Sequence, residues 1–104
     1  MHKHGYYNDL FNYYDSRFAG FKSRQLYTCM AYTAHDYDND MIVLRSYSTI
    51  VALYDIDNQI VIERKYYSNT TTQHVAKFRY LMFREFNLSC KPPKIRLEYL
   101  KESR

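Results

Sequence analysis

The stretch from Met41 to Tyr67, MIVLRSYSTIVALYDIDNQIVIERKYY, most constrains what this chain can become. Its first part, 41–55, is apolar and β-branched at both ends and polar in the middle, from Arg45 to Thr49. Such residues pack well on a pleated surface and lose rotamer freedom in a helix. The pattern predicts one long bent strand over 41–55, or two short ones around Ser46–Ser48. Asp57-Asn58 suits a tight turn with positive φ. Residues 59–67 return as the next strand, with Ile60 and Ile62 facing inward.

A sheet of this kind must be covered, and two helical patterns are available to cover it. Asn8 and Asp9 can cap a first helix over 9–19. Phe11, Tyr14, Phe18 and Phe21 recur on its stripe, and Gly20 is placed to end it. Residues 24–34, rich in Tyr and Thr, read as a strand, and 35–40 (HDYDND) as a turn. In the second helix, Thr70 and Gln73 fit a capping box. Val75, Phe78, Met82 and Phe86 form its buried stripe, while Gln73, Lys77, Tyr80 and Arg84 share the opposite side. Pro92-Pro93 stops the chain, and 94–100 alternates Ile95, Leu97 and Tyr99 as a short final strand. The order predicts an α+β fold: an antiparallel sheet of three to four strands, with an N-terminal helix and a second helix (about 70–86) packed on one face. No internal repeat and no second domain is read, so 1–104 is taken as a single domain.

Length and composition exclude several classes. A chain of 104 residues, 46% apolar and with only two Gly and two Pro, folds around its own core and is not disordered. Thirteen Tyr and six Phe are more rings than such a core can hide, so some must lie where they suit contact with protein or nucleic acid. The net charge of +4 leans mildly toward anionic partners. Cys29 and Cys90 lack metal or redox spacing and read as buried free thiols of a cytosolic protein, with a disulfide the lesser alternative. The opening residues carry no apolar signal region, and no apolar run is long enough to span a membrane.

Motifs of chemistry are weak. DYDND begins like a calcium loop, but Met41 and Tyr47 stand where Gly and Glu belong, so a solvated turn explains it. His2, His4, His35, His74, Cys29 and Cys90 do not have the spacing of a zinc site, and no metal or cofactor is expected. His74 near Ser68, Thr70 and Thr71 could form a basic site, but capping already explains those hydroxyls, and no catalytic residue is assigned. The cations Arg64, Lys65, Lys77, Arg79, Arg84, Lys91, Lys94 and Arg96, with Lys101 and Arg104, are interleaved with Tyr66, Tyr67, Tyr80 and Tyr99. A plain solvated helix face and a nucleic-acid site fit them equally.

SYSTIVA, 46–52, followed by YSNTTTQHVAKF, 67–78, resembles a small domain carried by phages and mobile elements of Firmicutes. Ser46, Tyr47, Thr49 and Ala52 match its first part. Tyr67, Ser68, Thr70, Thr71, His74 and Phe78 match its second. The resemblance implies a non-enzymatic accessory protein in the cytoplasm of a bacterial host. Such a protein binds and inhibits a host macromolecule, for instance a CRISPR or other defence nuclease. The alternative is direct RNA or DNA binding through a basic, tyrosine-rich face; a third reading is a small enzyme using His74. The residues expected to contact the partner are Lys77, Tyr80, Arg84, Arg64, Lys65, Tyr47, Tyr67 and His74. No membrane partner is expected, and the chain reads as a monomer or a homodimer.

Overall fold

The computed structural model describes residues 4–27, 30–64 and 69–97. In chain order the elements are α1 (His4–Arg17), β1 (Ser23–Gln25), β2 (Ala31–Asp36), β3 (Met41–Ser46), β4 (Thr49–Asp55), β5 (Ile60–Glu63), α2 (Asn69–Glu85) and β6 (Lys94–Arg96), with a short 3-10 turn at Phe18–Gly20. The class is α+β, as the sequence predicts. Among the described residues the sheet, however, has six strands in sequential order. It is mixed, because β6 runs parallel to β5 while all other neighbours are antiparallel. A parallel pair needs a long crossover, and α2 supplies it.

The two helices do not share a face, which corrects the sequence reading. Tyr7, Leu10, Phe11, Tyr14 and Phe18 pack with Ala34, Met41, Val43, Ile50, Leu53 and Ile62 on one side. Val75, Phe78 and Met82 of α2 pack with Leu26, Ala31, Ile42, Leu44, Val51, Ala52, Tyr54 and Val61 on the other. The sheet is thus the middle of three layers. β3 shows why: Met41 and Val43 turn toward α1, and Ile42 and Leu44 toward α2. In β4 the register slips opposite Leu44 and Arg45, so Val51 and Ala52 both face α2. That is the signature of a bulge.

Residues 24–34 hold two antiparallel strands and a connection, where one strand was expected. The alternative of two strands within 41–55 is the one observed, joined at Tyr47-Ser48. α1 begins at His4, so Asn8 and Asp9 lie inside it and do not cap it. Thr70 likewise lies inside the first turn of α2 and not before it. Positive φ falls on Gln59, not on Asp57-Asn58. Cys90 is exposed, where a buried thiol was expected. Cys29, Lys65, Tyr66, Tyr67, Tyr99, Lys101 and Arg104 lie outside the described residues.

A short repeat escaped the sequence reading. Asp36-Tyr37-Asp38-Asn39 and Asp55-Ile56-Asp57-Asn58 end β2 and β4 with the same turn chemistry. Asp36 accepts from the Asp38 backbone N–H and the Asn39 amide, and Asp55 accepts from the Asn58 backbone N–H and amide. Asp40 and Gln59 then take positive φ, at 53° and 57°. α1 is fastened to both turns. The Tyr7 hydroxyl donates to Asp55 at 2.7 Å, and the Tyr14 hydroxyl donates to Asp36 at 2.6 Å.

Candidate functional site

Ser46 ends β3 and Thr71 and His74 occupy the first two turns of α2, so the hairpin and the helix meet at a polar corner. Ser46 Oγ lies 2.8 Å from His74 Nδ1 and 3.3 Å from Thr71 Oγ1. The Tyr47 ring covers the imidazole at 5.8 Å between centroids. A hydroxyl on an imidazole nitrogen is the geometry of an activated nucleophile. Yet Ser46 is 2% and His74 4% exposed, and Ser46 already meets two side chains of the fold. Burial pushes the His74 imidazole below its ordinary pKa, with Lys77 adding to the effect, so the ring is neutral near pH 7. The arrangement locks a strand end to a helix start. The two sequence blocks thereby meet in space through Ser46, Tyr47, Thr71 and His74.

The opposite side of α2 carries a different constellation. Lys77, Tyr80 and Arg84 are exposed and follow one another on the outer face. With Tyr27, Ala76 and Lys91 they line a shallow groove of about 490 Å³. The Arg84 guanidinium and the Lys91 ammonium each stand 6.0 Å from the Tyr80 ring, the outer range of cation–π attraction. Among the described residues no carboxylate lines this groove.

Several other described cations are held by the fold. Arg64, expected at the binding face, instead grips Asp15 at 2.8 and 3.1 Å, donates to the Ile50 carbonyl and lies over the Phe11 ring. It belongs to the α1 side. Lys94 and Arg96 neutralise the buried Glu63 at 3.3 and 3.7 Å. Arg79 donates to the Pro92 carbonyl and ties the end of the crossover to α2. Lys77, Arg84 and Lys91 gather around Tyr80.

A family model, Family of unknown function (DUF8033), matches residues 14–91, well over half of the chain. The chain belongs to this family. No curated protein and no solved structure matches it. The DUF8033 segment holds the whole sheet up to β5, the Ser46–His74 corner and the entire groove from Tyr27 to Lys91, but it omits Tyr7 and the start of α1.

Sequence reasoning missed Tyr27 as a site residue. Its signal lies in the backbone: φ is 53°, a left-handed conformation that bulky side chains rarely adopt. A non-glycine residue there costs about 1–2 kcal/mol, and the Tyr27 ring is still left half-exposed, at 46%. Tyr47 shares the pattern, with φ 56° and 54% exposure. Among the described residues no three metal-binding side chains gather, and no helix is long and apolar enough to cross a membrane.

Proposed function

We propose that this DUF8033 protein is a binding protein and not an enzyme. Its working surface is the outer face of α2, and its partner is an anionic surface on a macromolecule of the bacterial host. The observation that carries this reading is the convergence of Lys77, Arg84 and Lys91 on Tyr80 and Tyr27 in a groove lined, among the described residues, by no carboxylate. Aromatic rings flanked by cations supply the anchors that interfaces concentrate at their centres. The closed Ser46–His74 corner favours binding over catalysis, since a substrate has no room beside it. The resemblance of SYSTIVA and YSNTTTQHVAKF to phage-borne and mobile-element domains supplies the setting. There the protein acts in the host cytoplasm by occupying, and so inhibiting, a component such as a defence nuclease.

The test is capture from host lysate by tagged protein, with and without nuclease treatment. Wild type retains a partner. The double variant Lys77→Glu/Arg84→Glu loses it, because like charges set across an interface cost several kcal/mol. Retention of the same partner by the folded double variant refutes this face.

A further inference from the structure

The groove on α2 does not end at Tyr27. α2 packs over β3 and β4, and between its flank and the β1–β2 hairpin the surface stays concave. There a cleft of about 440 Å³ includes Lys22, Arg24, His35, Tyr37 and Glu85 in its walls. A smaller hollow joins the two: it shares Arg24, Leu81 and Glu85 with the cleft and Tyr27 with the groove. Resting on the reading of the α2 face as an anion-binding surface, we infer that these three hollows form one trough that holds an extended single strand of nucleic acid.

Charge and ring placement select this occupant. Among the described residues, Lys22, Arg24, Lys77, Arg84 and Lys91 line the trough against one carboxylate, Glu85, which is held by Arg24 at 3.3 Å. Cations strung along a concave path follow a phosphate backbone. Rings stand at both ends. Tyr27 and Tyr80 are half-exposed at one, and at the other the Tyr37 ring, 75% exposed, is stacked on His35 at 3.7 Å and 16°. Bases can stack on such platforms only when they are unpaired, as in a single strand. Tyr27, at a left-handed φ of 53° and half-exposed, stands where the groove meets the smaller hollow, within reach of a base.

Fluorescence anisotropy with a labelled oligothymidylate and an oligouridylate, each of about 12 nucleotides, tests the trough. Wild type binds at low salt and weakens as salt rises, with a log–log slope of about −3, roughly −0.7 for each phosphate neutralised. Preference between the two oligonucleotides tells DNA from RNA. Lys22→Glu and Tyr37→Ala, separate variants at the far end, each weaken binding about tenfold. Tyr27→Gly weakens it similarly while melting at or above the wild-type temperature. Three results overturn the inference. If neither oligonucleotide binds, yet nuclease-treated lysate still yields a partner that Lys77→Glu/Arg84→Glu abolishes, the partner is a protein and the α2 face stands without the trough. If the far-end variants bind like wild type while the α2 variants fail, the site stops at Tyr27. If Lys77→Glu/Arg84→Glu changes neither oligonucleotide binding nor capture, the α2 face itself falls.

Discussion

Beneath α1 the polar groups turn inward and find one another; along α2 they mostly turn outward and gather. On the first side Tyr7 and Tyr14 meet Asp55 and Asp36, Arg64 is held by Asp15, and Arg45 lies over the rings of Phe18 and Tyr32. On the second, one polar knot at Ser46, Thr71 and His74 secures the helix start, and the cations beyond it surround exposed rings. Both helices cover comparable apolar cores, so burial does not distinguish the sides. Their polar chemistry does: on the α1 side charges are met by acids, carbonyls and rings of the fold, and along α2 cations gather in a groove around exposed rings.

The largest expected effect is on the α1 side. Tyr7→Phe/Tyr14→Phe removes one donor from each of two buried carboxylates. Each loss costs about 1–3 kcal/mol, and the two sites have separate partners, so the costs add. At about 4–8 °C per kcal/mol for a chain of this size, the melting temperature should fall by more than about 10 °C, with capture of the partner unchanged. A fall of only a degree or two would mean that the turns satisfy their aspartates without the helix.

Ser46→Ala comes next. It leaves the buried His74 nitrogen without its hydroxyl partner and should cost about 1–3 kcal/mol, read by chemical denaturation. A smaller effect than for either single tyrosine variant would confine the corner to ordering the chain locally.

Acid separates the two sides by pH window. The His74 pKa in the fold lies below its ordinary 6.5. Between those values the unfolded chain binds a proton that the fold does not, so stability falls as pH drops below about 6.5. Asp36 is displaced in the same direction, from a lower starting value. Burial alone would raise its pKa, but hydrogen bonds from Tyr14, Asn39 and the Asp38 backbone outweigh burial and hold it below 3.8. Its contribution is present above 3.8 and is lost only as pH falls through the lowered value. Melting curves from pH 7.5 downward should therefore weaken first through His74, and His74→Gln should flatten that first slope while leaving the lower one. An unchanged first slope would remove His74 as its source.

Lys77→Glu/Arg84→Glu should disturb stability least, within about 1 kcal/mol, as exposed substitutions do. Unfolding of this variant would place those side chains against the sheet.

The outward phase of α2 was legible because a 3.6-residue period ran through all of it, and the structure leaves Lys77, Tyr80 and Arg84 exposed as that period requires. The three-layer arrangement was legible too, though it was misread. A strand covered on one face alternates, whereas one covered on both is continuously apolar, and Met41–Leu44 and Ile50–Leu53 are unbroken runs. The start of α1 was hidden by Asn8 and Asp9, which look like caps, although Tyr7 continues the Phe11–Tyr14–Phe18 stripe backward. The turns at Tyr27 and Tyr47 were not legible, because positive φ is read from Gly or Asn and here falls on tyrosine. The split of cations into held and gathered could not be read either: Arg64 finds Asp15 across 49 positions of sequence.

The paired tyrosines turn α1 into a gauge of the sheet. Asp36 and Asp55 flank Met41 in register, one on each neighbouring strand. Two interstrand steps span about 9.6 Å. Tyr7 and Tyr14 stand seven positions apart, and seven helical residues rise about 10.5 Å and bring both rings to one side. Length alone would admit six residues or seven, and only seven keeps both rings on one side. One residue added or removed between positions 7 and 14 would swing one ring by about 100° about the axis, so a single hydroxyl could still reach its carboxylate. Drift in the length of this segment is therefore barred by a measurement that the sheet itself performs.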